Sequence, residues 1–163
     1  MCSSDLRILV VDDEADGREM LTRMLESWGA EVRAAGSAEE AIEALCGETP
    51  DLLISDIGMP RVDGYELMRR IRAMQAPERR GLPAIALTAF ARGEDAAKAR
   101  QAGYGVHLPK PVDPSRLFST IASVLAGATD ARYRPGTGRG EEAITSDPSA
   151  SGGPSARRVA GTR

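Results

Sequence analysis

The sequence has few cysteine, histidine and aromatic residues. Its 163 residues include two cysteines and one histidine, and aromatic residues make up 4% of the chain. Cys2 and Cys46 form neither a metal-ligand spacing nor a redox spacing, which excludes a cysteine-based metal or redox centre. Such sparse use of cysteine is typical of a reducing compartment.

The chain also lacks a long apolar run and a secretory signal. No run is long enough to span a bilayer. The first short apolar run, Ile8 to Val11, has no cationic leader before it and is followed at once by acids, an order that is wrong for a signal peptide. We therefore expect a cytoplasmic protein that makes no membrane contact.

Positive charge is scarce in most of the chain. The formal net charge is -3. Residues 128–163 carry six arginines against four acids, or +2, which leaves -5 for residues 1–127. A body this acidic argues against nucleic-acid binding, so we expect no direct contact with DNA.

Short apolar segments alternate with amphipathic helical patterns from about residue 6 to residue 126. Parallel strands need crossover connections, and right-handed crossovers place helices on both faces of a sheet. The pattern therefore predicts an α/β fold, a doubly wound parallel sheet of five strands with five helices. The predicted strands are residues 8–11, 31–35, 51–55, 83–87 and 106–109.

The pattern disappears from about Gly127. Gly, Ser, Pro, Thr and Arg dominate residues 127–163, and Ala143 with Ile144 offers too little apolar surface for a core. We predict one domain over residues 6–126 and a disordered tail over residues 127–163. The tail is too short for a helix-turn-helix or a catalytic module.

Polar residues stand at the carboxyl ends of four predicted strands. Asp12 and Asp13 follow the first strand, Asp56 follows the third, Thr88 the fourth and Lys110 the last. Each residue alone has an ordinary explanation: the aspartates as helix caps or turn residues, Thr88 as a strand end and Lys110 as a surface lysine. Ligands of such sheets bind beyond the carboxyl ends of the strands, so together these residues predict one site.

Carboxylates this close together need a compensating charge. At about 4–5 Å they repel one another by several kcal/mol at an effective dielectric near 20. Mg²⁺ suits the cluster because it takes oxygen ligands and commonly binds one or two carboxylates together with phosphate oxygens. A neutralised carboxylate could then attack phosphorus to form an acyl phosphate, with Lys110 and Thr88 contacting the phosphoryl oxygens.

Four motifs resemble the receiver domain of bacterial two-component response regulators. The resemblance covers roughly residues 6–126 and implies the flavodoxin-like strand order 2-1-3-4-5. Any one motif is weak, but all four in this order are highly specific. They are Val10-Val11-Asp12-Asp13-Glu14, the segment from Asp56 to Gly64, the segment from Pro83 to Ala89, and Lys110-Pro111.

The resemblance implies a role for each acid of the cluster. Asp56 would be the phosphoacceptor. Asp13, Asp56 and the backbone carbonyl of Gly58 would bind Mg²⁺ directly, and Asp12 would act mostly through metal-bound water. Such a domain is a signalling module, and beyond self-phosphorylation and slow autodephosphorylation we expect no enzyme activity.

The resemblance also implies how the domain would switch. Thr88 would be the switch hydroxyl, Lys110 would pair with the phosphoryl group, and the Lys110–Pro111 bond would be cis. His107 stands where the family usually has Tyr or Phe, and strand alternation predicts that its ring faces outward under the final helices, on the output surface. Pro109 lacks a backbone donor, which predicts that the last strand is an edge.

His107 is the only histidine, so a donor phosphohistidine must come from a histidine kinase or phosphotransfer protein, or from a part of a longer protein. Two versions stay open: a single-domain regulator that acts on a downstream protein target, and a receiver segment of a hybrid sensor kinase. A metal-dependent aspartate-nucleophile phosphohydrolase is a third reading, without a clear second acid or cap. A flavodoxin-like cofactor binder is disfavoured because Asp12, Asp13 and Glu14 would repel a phosphate.

Overall fold

The computed structural model describes residues 5–89 and 93–129, so all but the first three residues of the predicted tail lie outside the described part. That part contains five strands and six helices. They are β1 (Arg7–Val11), α1 (Ala15–Ser27), β2 (Glu31–Ala35), α2 (Ala38–Gly47), β3 (Leu52–Asp56), α3 (Gly64–Arg72), α4 (Pro77–Arg80), β4 (Ala84–Thr88), α5 (Gly93–Ala102), β5 (Val106–Pro109) and α6 (Pro114–Thr129). Strands and helices alternate except that α4 directly follows α3.

The strands form one parallel sheet in the order β2-β1-β3-β4-β5. This confirms the predicted fold class and strand order. β5 is an edge strand, as predicted from Pro109 at its end. The order changes direction between β1 and β3, so the carboxyl ends of these two neighbouring strands flank the switch point of the sheet.

Alternate residues of the strands pack against helices on opposite faces. Leu9, Leu53 and Ala86 belong to a core shared with α2, α3 and α5, whereas Ile54 and Leu87 belong to a core shared with α1 and α6. β3 and β4 are buried along their whole length. Their apolar side chains on both faces explain why these strands read as continuous hydrophobic runs rather than as an alternating pattern.

Side-chain caps fix the starts of several helices. The Ser37 hydroxyl accepts from the Glu40 N–H (3.2 Å) at α2, and an Asp113 carboxylate oxygen accepts from the Arg116 N–H (2.8 Å) at α6. The Glu40 carboxylate in turn accepts from the Gly36 N–H, one residue before the cap.

Helix α4 is the one element that the sequence pattern does not predict. It begins with Pro77, makes a single turn and buries none of its residues, so it leaves no apolar periodicity in the sequence. Arg72 ties the turn to α3 through a hydrogen bond to the Arg80 carbonyl. Among the described residues, no helix has both the length and the apolar character needed to span a membrane.

Candidate metal and phosphoryl site

Asp12 follows β1 and is held on all sides. Asp12 is fully buried (0% exposed), and its backbone N–H donates to the Ala35 carbonyl at the end of β2 (3.1 Å). One carboxylate oxygen accepts from the Glu14 N–H (2.9 Å) and the other from Lys110 Nζ (2.9 Å). Glu14 is the N-cap residue of α1, so the reading of Asp12 or Asp13 as the cap residue is wrong.

Asp56 is the last residue of β3 and is 7% exposed. Its Oδ1 accepts from the Gly58 N–H (3.2 Å), and its Oδ2 lies 3.2 Å from Lys110 Nζ. The seven residues 57–63, called the acceptor loop below, connect Asp56 to α3. The Gly64 N–H donates to the Ile57 carbonyl (2.9 Å) and closes this loop.

Gly64 is required by the close approach of α3 to Asp56. A Cβ atom at this position would lie 2.5 Å from the Asp56 carbonyl oxygen and 2.8 Å from Ile57 Cα. Both atoms belong to the backbone and cannot rotate away. The glycine therefore lets the first turn of α3 abut the end of β3. Gly58, in contrast, is exposed, and nothing lies within 4 Å of its Cβ position.

Asp13 completes the acidic cluster from the exposed side. Asp12, Asp13 and Asp56 each offer a carboxylate oxygen, and these three oxygens lie within 4.8 Å of one another. Carboxylate oxygens are the donors that Mg²⁺ prefers. Asp13 is exposed and can admit water, which Mg²⁺ usually retains among its ligands. The donor set therefore fits a hard divalent cation.

Lys110 bridges the two buried carboxylates with one ammonium group. Burial lowers the pKa of Lys110, but the hydrogen bond to Asp12 and the negative charges of Asp56 and Asp12 outweigh it, so the pKa lies above its ordinary value. The Lys110 side chain stays 24% exposed, so its ammonium group can also be reached from solvent. The predicted cis bond between Lys110 and Pro111 is present.

Thr88 lies at the same sheet edge. It ends β4, one residue beyond Leu87, which is in register with Asp56. The residue is buried (7% exposed), and its carbonyl accepts from the Lys110 N–H (2.7 Å). The structure thus places the five residues that the sequence singles out at one edge of the sheet, and it joins the side chains of Asp12, Asp13, Asp56 and Lys110 in one cluster.

His107 lies away from this cluster. It is half-buried and in register with Ala86, whose side chain belongs to the core under α5, so His107 is on the α5 face of β5. The next residue, Leu108, packs into the core on the opposite face.

Three residues that contact the backbone around the site are not predicted from the sequence. Arg18 of α1 donates to the Asp12 carbonyl (2.6 Å), the Ser55 hydroxyl donates to the Asp56 carbonyl (3.0 Å), and the Tyr104 hydroxyl donates to the Gly64 carbonyl (2.7 Å). All three bond to backbone atoms, and such contacts leave no residue-type pattern in a sequence.

An open groove of about 510 Å³ begins at the cluster. Asp12 and Lys110 stand at one end, and the floor runs between α1 and the connection from β5 to α6, past Met20 and Val112. Met20 is 51% exposed.

Comparison with known families decides what this arrangement is. The model of the response regulator receiver domain matches residues 8–122. The chain belongs to this family. Receiver domains are signalling domains of two-component systems, and they bind Mg²⁺ through acidic residues such as those of the Asp12, Asp13 and Asp56 cluster.

The relatives of this receiver domain include short and long proteins. It is 48% identical over 118 residues to an uncharacterized 14.6 kDa protein in the sodA1 3′ region of Leptolyngbya boryana. This match covers 72% of this chain and 88% of that protein. It is 35% identical over 132 residues to the sensory/regulatory protein RpfC of Xanthomonas campestris, covering 81% of this chain but only 18% of RpfC.

A solved structure gives the same picture. The CheY-like response regulator receiver domain protein of Methanospirillum hungatei superposes with a TM-score of 0.69 at 29% identity, covering 76% of this chain and 96% of that one. The fold described above is therefore that of a receiver domain.

Proposed function

We propose that this receiver domain accepts a phosphoryl group on Asp56 from the phosphohistidine of a histidine kinase or phosphotransfer protein, in a reaction that needs Mg²⁺. One observation carries the proposal: three carboxylates and the Lys110 ammonium converge within hydrogen-bonding or metal-binding distance at one edge of the sheet. A structural role alone gives no reason for gathering three acids there, because their mutual repulsion destabilises the fold.

Within this proposal, Asp13, Asp56 and the Gly58 carbonyl hold the cation directly, and Asp12 acts through bound water. When bound, Mg²⁺ neutralises the cluster and stabilises the charge on the transferred group. Asp12 is suited to the indirect role, because it is fully buried (0% exposed). Asp13 is exposed and suited to the direct one.

The transfer is an attack by an Asp56 carboxylate oxygen on phosphorus. A bond forms between this oxygen and phosphorus, and the bond from phosphorus to the donor imidazole nitrogen breaks. The nitrogen leaves with the electron pair and ends protonated. Lys110 Nζ, now 3.2 Å from Asp56 Oδ2, is placed to bind a phosphoryl oxygen of the product.

The acyl phosphate would then bias an existing equilibrium between two conformations. Thr88 supplies the hydroxyl that contacts the new oxygens, and its carbonyl is already bonded to the Lys110 N–H. A shift of Thr88 would reach β5 through this bond. The output surface in this proposal is formed by α5, β5 and α6, with His107 on the α5 side.

We further propose a cytoplasmic domain over residues 6–126 that signals through a downstream protein and contacts no DNA itself. The short L. boryana relative favours a single-domain regulator, while RpfC, of which this chain covers 18%, shows that such domains also lie within longer sensory proteins.

Intact-mass spectrometry tests this proposal. The protein is incubated with Mg²⁺ and acetyl phosphate, beside Asp56→Asn and beside Asp16→Asn as a matched control. Asp16 is an exposed acid of α1 that lines the same groove. We expect one phosphoryl mass on the wild type and on Asp16→Asn and none on Asp56→Asn. The absence of a gain on the wild type, with acetyl phosphate and with a panel of kinases, would refute the proposal.

A further inference from the structure

Two buried hydroxyl groups contact the backbone on either side of the acceptor loop. Ser55 precedes Asp56 in β3 and is 0% exposed, and Tyr104, just before β5, is 2% exposed. Both belong to the face of the sheet that carries α2, α3 and α5, where their neighbours are apolar. Polar groups in such a core are costly unless they are well partnered.

The two hydroxyls hold the two ends of the acceptor loop. Ser55 Oγ donates to the carbonyl of Asp56, just before the loop, and Tyr104 Oη donates to the carbonyl of Gly64, just after it. The ends also touch each other, since the Cβ position of Gly64 is 2.5 Å from the Asp56 carbonyl oxygen. Between them stands Gly58, whose N–H donates to Asp56 Oδ1.

Tyr104 also connects this loop to the other side of the domain. Its N–H donates to the Ala99 carbonyl in the last turns of α5 (3.0 Å), while its hydroxyl reaches the first residue of α3. The next residue, Gly105, donates to the Ala84 carbonyl at the start of β4 (2.9 Å). One side chain therefore spans from the junction of α5 and β5 to the acceptor loop.

We propose that Ser55 and Tyr104 are positioning residues, which together hold the acceptor loop in the geometry that binds the cation at Asp56 and Gly58. Neither touches the reacting atoms. The proposal rests on the function proposed above, and it adds a specific buried pair on the face opposite to the phosphoryl group. A purely apolar pair would fill the same core, whereas hydroxyls bonded to the two carbonyls that flank the loop fix the position of the backbone.

The test compares Tyr104→Phe with Tyr65→Phe. Both changes remove one phenol oxygen and keep the ring. Tyr65, in the first turn of α3, is half-buried at the rim of the same core. The readouts are the dissociation constant for Mg²⁺ alone, measured by calorimetry, the rate of phosphorylation by acetyl phosphate, and thermal unfolding.

We expect Tyr104→Phe to weaken Mg²⁺ binding about three- to tenfold, the range of one lost hydrogen bond, and to slow phosphorylation at subsaturating Mg²⁺ to a similar extent. Tyr65→Phe should leave both unchanged. Ser55→Ala should resemble Tyr104→Phe, and the double variant should lose less than the product of the two single effects, because the hydroxyls act as one unit.

A purely structural role gives a different result. A lower melting temperature for Tyr104→Phe, with Mg²⁺ affinity and phosphorylation rate equal to those of Tyr65→Phe, would overturn the inference and leave the proposed function intact. A wild-type protein that binds no Mg²⁺ would overturn the proposed function and this inference with it.

Discussion

The two loops that deliver carboxylates to the site are built in different ways. After β1, only residues 12–14 precede α1, and the Asp12 side chain is bonded to the loop backbone and to Lys110. After β3, the seven-residue acceptor loop intervenes, and the carbonyls that flank it are bonded by Ser55 of β3 and by Tyr104, just before β5. The β1 loop is thus short and held through the side chain of its own Asp12, whereas the longer acceptor loop is held at the backbone on either side of it.

This difference matters because Asp56, the proposed phosphoacceptor, directly precedes the second loop. A group that changes chemically must pass its change to other elements, and the bond from Tyr104 to the Gly64 carbonyl at the far end of this loop offers a route for that. Asp12, which has no bond to make in the proposed reaction, can be held rigidly. The following predictions test whether the two loops differ in this way.

The largest effect on stability is expected at Gly64. Gly64→Ala places a Cβ atom 2.5 Å from a backbone oxygen, so the end of β3 or the start of α3 must shift, at a cost of about 3 kcal/mol in the free energy of unfolding. Gly58→Ala is the control within the same region, because nothing lies within 4 Å of its Cβ position. Its unfolding free energy should stay within about 0.5 kcal/mol of the wild type in urea titrations. Equal effects of the two changes would contradict the described packing.

A smaller effect, on metal affinity, is expected in the β1 loop. Asp13→Asn removes an exposed ligand and should weaken Mg²⁺ binding by at least about tenfold, measured by calorimetry. The stability without metal should not fall, since one acid fewer reduces the repulsion in the cluster. Asp16→Asn, an exposed acid in the first turn of α1, is the control and should change neither quantity. Unchanged Mg²⁺ affinity in Asp13→Asn would remove Asp13 from the metal site.

The smallest effect concerns the ionisation of Tyr104 beneath the acceptor loop. Burial raises the pKa of Tyr104 above its ordinary value of 10.0, with a further increase from the charges of Asp63 and Asp56, and the hydrogen bond with Ser55 only partly opposes it. Below pH 10 the phenol is protonated in both the folded and the unfolded protein. Above pH 10 the unfolded chain loses this proton first, so stability falls by up to about 1.4 kcal/mol per pH unit.

Tyr104→Phe should lack this part of the alkaline loss of stability, which denaturant titrations at several pH values would measure. The absorbance change of phenolate formation should also show no ionisation of Tyr104 near pH 10 in the folded wild type. Ionisation of the Tyr104 phenol near pH 10 in the folded protein would contradict the buried position of Tyr104.

The sequence predicts most of the fold and the reactive side chains, for a physical reason. Strand-end polar groups such as Asp56 and Thr88 follow immediately after apolar runs, and the carboxyl ends of parallel strands must meet, so a local pattern fixes a three-dimensional site. The roles of these residues in metal binding and phosphoryl transfer stay predictions.

What the sequence does not predict depends on packing between distant segments. The bond from Tyr104 to the Gly64 carbonyl needs the relative position of α3 and β5, and the bond from Arg18 to the Asp12 carbonyl needs the start of α1. Neither leaves a periodic or spacing signal. The turn of α4 is missed because it buries no residue.

The central claim is that the phosphoryl group is transferred to the carboxylate of Asp56. After incubation with Mg²⁺ and acetyl phosphate, borohydride reduction converts an aspartyl phosphate into homoserine, and peptide mass spectrometry locates the change. The account predicts homoserine at position 56 and unmodified aspartate at positions 12 and 13. Homoserine at either of those positions, or at none after full reduction of a phosphorylated sample, would contradict it.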